Sequence, residues 1–292
     1  MSINNIIDIL LNKINLFFYI HLLFKKHIWI RYAIPKWKKS NHNWGDDINP
    51  IICKLISQRE VIPYQYSWRK KKHFLCIGSI IQWYSNKNAI IWGSGLLEYT
   101  NNIPSPYKVL AVRGPLTRKC LVENGIECPE IYGDPALLFP KFYNPKKTKL
   151  YNIGIICHYS EIEYLKNKLD NSNNIFLFID IRHYQKWEYF IDKILSCNVI
   201  LSSSLHGIII ADAYKVPNRW CQFTKTLSSK SDFKFKDYFL SVNKKCDHPL
   251  IINFEENAID IEKKVKSEWK EPLIDLQKLL DVCPFNVCSF NK

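Results

Sequence analysis

From Asn41 onward, short apolar runs alternate with stretches whose apolar residues recur at helical spacing. "HFLCIGSII" (His73 to Ile81), "NAIIWGSGL" (Asn88 to Leu96) and "KVLAVRGP" (Lys108 to Pro115) each read as a buried strand ending at glycine. "GPLTRKCLVENG" (Gly114 to Gly125) reads as a helix, with Pro in its first turn and Gly at its end. "PEIYGDPALLFP" (Pro129 to Pro140) predicts a further strand and turn. A basic, proline-containing stretch, "KFYNPKKTKL" (Lys141 to Leu150), has the texture of a linker. After it come strand "YNIGIICHY", strand "NIFLFIDI", helix "QKWEYFIDKILSC" and strand "NVILSS". The run from Gly207 to Tyr214 predicts a helix stopping near Lys215 and Pro217, and Asn253 to Leu280 reads as helical with Pro272 interrupting it. Such βαβ texture predicts an α/β fold of two Rossmann-like domains facing a cleft, over residues 41–145 and 146–292.

Residues 1–40 have a different pattern and are read as a separate basic, aromatic segment. "INLFFYIHLLF" (Ile14 to Phe24) is apolar, and "KKHIWIRYAIPKWKK" after it is strongly basic. Eleven apolar residues are too few to cross a bilayer, which needs about 20. Two readings fit: an amphipathic helix on the protein's own core, or peripheral contact with an anionic membrane surface. No secretory signal peptide is evident, so the expected location is the cytoplasm, with the inner face of the cytoplasmic membrane on the second reading.

Composition narrows the classes. Hydrophobic residues make up 47% and charged ones 23%, a globular balance. A formal charge of +14 favours an anionic partner without choosing among nucleic acid, membrane and a small polyanion. No nucleic-acid-binding motif accompanies that charge. The ten cysteines are scattered and read as reduced, buried thiols, and Cys283 and Cys288 have no second pair at metal-ligand spacing. No metal site is expected.

Ligands of open α/β sheets bind beyond the carboxyl ends of the strands, so the glycine-terminated strands are candidate sites. In "NWGDDINP", expected ahead of the first helix, Asn43, Gly45 and Asp46 are cleft candidates; Gly45 permits close backbone approach, and a plain acidic cap is the alternative. Gly93, Ser94 and Gly95 form a second turn. Arg113, at a strand end before Gly-Pro, offers a fork for carboxylate or phosphate, or else an ordinary ion pair. Asp134 in "GDPA" either caps a turn or faces the cleft. In "SSSLHG", Ser202, Ser203 and Ser204 supply hydroxyls, and a helix beginning near Gly207 supplies amides and a positive dipole end. His206 adds a group that ordinarily titrates near neutrality, as proton donor or anion binder, with a core histidine satisfied by the backbone as the alternative. His158, at another strand end, is a second candidate.

In chain order, "NWGDDINP", "GSG", "VRGPLTRKCLVENGI", "YGDPALLFP", "GIICHY" and "SSSLHGIIIADAYKVPNRW" resemble the polysaccharide pyruvyl transferase family, from about Asn43 to Tyr238. The resemblance is to the branch that builds pyruvate ketals on bacterial exopolysaccharides, where "FKFKDYF" (Phe233 to Phe239) also has a counterpart. It implies a glycosyltransferase-B-like fold, phosphoenolpyruvate as donor substrate with no cofactor, and a glycan acceptor, free or lipid-linked. It also implies that Arg113, His206 and a downstream lysine hold the donor. Lys225, Lys230, Lys234 and Lys236 compete for that last role, and Lys234 belongs to the matched motif. A sugar-nucleotide-dependent glycosyltransferase of the same two-domain fold is the alternative, and a nucleic-acid-binding protein a more distant one.

Overall fold

The computed structural model describes residues 24–34, 43–67, 70–169, 175–224, 232–245, 248–252 and 256–285. Two five-stranded sheets organise them. In the first, β1 (His27–Ile30), β2 (Glu60–Pro63), β3 (His73–Leu75), β4 (Ala89–Trp92) and β5 (Lys108–Ala111) run in the order β2-β1-β3-β4-β5. In the second, β6 (Tyr151–Ile156), β7 (Phe176–Phe178), β8 (Cys197–Ser202), β9 (Asn218–Gln222) and β10 (Leu250–Ile251) run β10-β9-β8-β6-β7. Every strand pairing in both sheets is parallel. Parallel sheets bury both faces, which is why strands such as Val199-Ile200-Leu201 are continuously apolar rather than alternating.

The helices are α1 (Trp44–Ser57), the single-turn α2 (Ile81–Tyr84) and α3 (Pro115–Glu123) in the first half of the chain. The second half contributes α4 (Tyr159–Lys168), α5 (Trp187–Leu195), α6 (Leu205–Ala213), α7 (Phe233–Ser241), α8 (Ala258–Glu268) and α9 (Leu276–Asp281). Trp44, Ile48, Ile52 and Ile56 recur every fourth residue along α1 and are buried. The two-domain parallel α/β expectation therefore holds, with differences in detail.

"NWGDDINP" does not precede α1; it forms its first two turns, with Pro50 inside the helix. A mid-helix proline lacks an N–H for the carbonyl four residues back. Here that carbonyl, Asp46 O, accepts instead from Asn49 Nδ2 at 3.1 Å. "PEIYGDPALLFP" yields a single bridge between Val112 and Tyr132 followed by a 3₁₀ helix, Pro135–Lys141, because two prolines withhold ladder donors.

Strand β1 comes from the stretch read as part of a separate N-terminal segment, and it lies between β2 and β3. Its "HIWI" is too short to carry a period, so nothing local marked it as a strand. The rest of residues 1–40 lies outside the described residues, so of the expected membrane-contacting run only residues 24–34 are described. Among the described residues, no helix is long and apolar enough to cross a membrane.

One hydrophobic core passes between the halves. Trp44 of α1 stacks on Phe190 of α5 with ring centroids 4.5 Å apart, and its Nε1 donates to Trp187 O at 3.0 Å. The end of the chain returns to the first sheet: Trp92 Nε1 donates to Leu279 O at 2.9 Å, and Phe285 packs edge-on against Trp92 and Phe74. The described cysteines are free thiols, seven buried and Cys283 partly so.

Candidate functional site

The carboxyl ends of both sheets meet where α1, α6 and α7 begin. Ser202 Oγ both donates to Ser204 O at 2.8 Å and accepts from Ser204 N at 3.0 Å, closing the turn after β8. That hydroxyl is spent on the turn, and Ser204, the residue that enters α6, makes no capping bond with its side chain. The first amides of α6 are thus left without a side-chain acceptor, the arrangement that attracts an anion. Gly207 allows α6 to sit close on the sheet: a Cβ there would lie 2.5 Å from Ser202 Oγ and 2.9 Å from Ile156 Cδ1.

His206 projects from this turn onto α1. A Cβ at Gly45 would lie 1.9 Å from His206 Nδ1, so the imidazole rests directly on the glycine backbone. His206 Nε2 is buried with no hydrogen-bond partner. Burial, reinforced by the charges of Lys234 and Arg113, pushes its pKa down to about 3. In the structure the ring is therefore neutral at pH 7, not poised near neutrality as the sequence suggests.

Asp46 occupies the adjacent first turn of α1. Burial and the neighbouring Asp47 push its carboxyl up to about 7, with Lys234 pulling the other way. Lys234, in the first turn of α7, is lowered to about 8 by burial and by Arg113, while Asp46 opposes the shift. Its ammonium lies 5.2 Å from the Phe235 ring centroid, and Phe235 is stacked on Trp220 at 4.4 Å. Lys225 and Lys230 lie outside the described residues, and Lys236 is on the same helix as Lys234.

Arg113 is 1% exposed and committed to protein partners. Its Nε donates to Asp237 Oδ2 at 3.0 Å, Nη1 to Ser79 Oγ at 2.7 Å and Nη2 to Leu96 O at 2.7 Å. Asp237 also accepts from Thr117 N at 2.8 Å and Thr117 Oγ1 at 2.7 Å. A buried ion pair thus clamps the first-half elements to α7 and fixes where Lys234 points. Its charge reaches the site, as the shifts of His206 and Lys234 show, while its donors are largely occupied.

The glycine turns hold this clamp. A Cβ at Gly95 would fall 2.5 Å from Arg113 Cζ, and Gly93, with φ of 91°, faces Pro135. Ser94 is buried, donating to Gly78 O at 2.8 Å. Three other candidates turn out to be caps. Asn43 Oδ1 accepts from Gly45 N at 3.0 Å, and Asp134 Oδ1 from Ala136 N at 2.9 Å. His158 is exposed and caps α4 in a reciprocal box with Glu161. Asp134 keeps a second, buried oxygen without a partner, and burial raises its pKa to about 7.

Sequence reasoning missed Ser79, Thr117 and Asp237. Asp237 sits inside the quoted "FKFKDYF", but its partner is 124 positions away. Among the described residues, no three His, Cys, Asp or Glu side chains gather to hold a metal ion.

Comparison with known proteins matches residues 6–222 to the family described as polysaccharide pyruvyl transferase. The chain belongs to that family. Membership places it among pyruvyltransferases of polysaccharide biosynthesis. It is 32% identical over 219 residues to an uncharacterised protein of Acanthamoeba polyphaga mimivirus, covering 73% of this chain and 74% of that one. It is also 29% identical over 220 residues to the succinoglycan biosynthesis protein ExoV of Rhizobium meliloti, covering 69% of this chain and 62% of ExoV. A crystal structure of an uncharacterised Klebsiella pneumoniae protein aligns with a TM-score of 0.43 at 13% identity, over 87% of this chain and 99% of that one. The family's matched region takes in Gly45, Arg113 and His206 and stops short of Lys234.

Proposed function

We propose that this pyruvyltransferase takes its pyruvyl group from phosphoenolpyruvate and sets it as a ketal on one sugar of a surface polysaccharide or its lipid-linked precursor, in the cytoplasm. The observation that carries the reading is the unpartnered, buried Nε2 of His206 beside Lys234, at the uncapped start of α6. The two sheets would face one another as in glycosyltransferase-B enzymes.

In the reaction a proton adds to the donor's methylene carbon, a sugar hydroxyl bonds to the central carbon, and the carbon–oxygen bond to phosphate breaks. A second hydroxyl of the same sugar closes the ketal. Of the two hydroxyl protons, one balances the new methyl group and the other leaves with inorganic phosphate. Lys234 and the α6 amides, with the hydroxyls of Ser203 and Ser204, are suited to the donor's anionic ends. The field of Arg113 adds to theirs.

The protonation states redistribute the acid and base roles. A neutral imidazole cannot give up a charged-state proton; once the anionic donor offsets the charges of Lys234 and Arg113, its free nitrogen gains basicity and can accept a proton from a sugar hydroxyl. Asp46, near 7, still carries a proton in about half of the molecules at pH 7 and is the better source for the methylene carbon. Incubation with phosphoenolpyruvate and lipid-linked or synthetic glycans should add pyruvate mass to the glycan and release one phosphate per ketal. His206→Gln should lower turnover by about 10²–10⁴-fold with donor affinity retained. Protection of the protein by a nucleoside diphosphate but not by phosphoenolpyruvate would instead make it a sugar-nucleotide glycosyltransferase.

A further inference from the structure

Both α6 and α7 start at the candidate site and end at a second place. His206 is the second of the nine residues of α6, so the far end of the helix lies about 10 Å from it along the axis. There, the end of α7, the start of β9 and the end of α8 enclose a cavity of about 270 Å³. That volume lies just under the range of small-molecule sites, roughly 300–1,000 Å³, and suits one sugar-sized group.

Trp220, Phe239 and Trp269 give the cavity apolar walls. Asp212, buried at the end of α6, fixes two of its lining side chains: it accepts from Trp269 Nε1 at 3.1 Å and from Lys244 Nζ at 2.5 Å. Asn218, Asn243 and a mainly cationic set of side chains complete the lining. Among the described residues that line the cavity, Arg219, Lys245 and Lys270 face one acidic side chain, Glu268, whose carboxylate is 3.7 Å from Arg219 Nη1. Arg219 Nε is buried with no hydrogen-bond partner. Buried donors are almost always satisfied, so a lining arginine short of one partner gains from an acceptor brought into the cavity.

We propose that this cavity binds an anionic saccharide, a sugar bearing a carboxylate or a phosphate, independently of the donor site. The aromatic walls suit the C–H face of a sugar ring, and the arginine and lysines suit its anionic group. The anionic part of the assignment rests on the lining alone; the saccharide part rests on the polysaccharide reading of the chain.

Binding to the full-length protein, followed by calorimetry without phosphoenolpyruvate, keeps the test separate from turnover. Glucuronate and glucose 6-phosphate distinguish carboxylate from phosphate, with glucose and inorganic phosphate as controls. At least one of the two anionic sugars should bind at least about tenfold tighter than either control. Arg219→Gln, and Lys245→Glu combined with Lys270→Glu on the exposed rim, should each weaken that binding about tenfold or more without lowering the melting temperature. His206→Gln should leave it unchanged. No binding of either anionic sugar, or glucose or phosphate binding as tightly as the tighter of the two, would overturn the assignment. So would loss of binding in His206→Gln, which would place the ligand in the donor site.

Discussion

Replacing Gly45 with Ala tests the contact on which the site is built. The added Cβ would lie 1.9 Å from His206 Nδ1 and 2.5 Å from two further ring atoms. An ordinary contact requires the ring to retreat by roughly 1.5–2 Å. Gly45 has no left-handed backbone to protect, and alanine in a helix gains about 0.5–1 kcal/mol over glycine. Overpacking a filled site costs about 1–3 kcal/mol, so the net change should fall at about 0–2.5 kcal/mol of destabilisation. Catalysis is more sensitive, since a displacement of about 1 Å can cost 10²-fold. Urea denaturation of wild type, Gly45→Ala, His206→Ala and the double variant forms a thermodynamic cycle. With the imidazole gone, Gly45→Ala should become neutral or stabilising, giving a coupling of about 1–3 kcal/mol. Additivity within about 0.5 kcal/mol would show that the ring does not rest on Gly45 and would refute the geometry.

Arg113→Ala should destabilise the fold by about 3–5 kcal/mol by leaving Asp237 buried and unpaired, and Asp237→Asn in the same chain should recover part of that loss; an unchanged denaturation midpoint would refute the clamp. Asp46→Asn should alter the dependence of stability on pH. The folded pKa of Asp46, about 7, lies above its ordinary 3.8, so its contribution is full below about 4 and is lost as pH rises toward 7. His206 acts oppositely, its neutral form stabilising the fold above about 6.5 and losing that effect as pH falls toward 3. The comparison of variant with wild type isolates Asp46: the gain from Asp46→Asn should be larger at pH 8 than at pH 4, by an order-of-magnitude bound of about 4 kcal/mol. Equal melting-temperature changes at both pH values would show that the carboxyl is not held protonated.

Strands β3 to β8 were legible because parallel sheets bury both faces and so demand uninterrupted apolar runs, with glycine after several of them. Strands β2, β9 and β10 were not, since "EVIP", "NRWCQ" and "LI" are short or mixed with polar residues and are fixed only by pairing in their sheets. The turn after β8 was legible, since its serines, histidine and glycine fall together in the chain. Strand β1 was not: its "HIWI" is short and set among basic residues, and it becomes a strand only between β2 and β3. The role of Arg113 was only half visible. Its position at a strand end is local, but Asp237 lies 124 residues away, and whether the guanidinium serves a ligand or an ion pair depends on that partner. Protonation was least visible of all. His206 and Asp46 have ordinary pKa values as residue types, and only burial beside Lys234, Arg113 and Asp47 moves one to about 3 and the other to about 7. Residue types and spacing determined which groups could meet; desolvation and charge, which depend on the whole fold, decided what each would do once there.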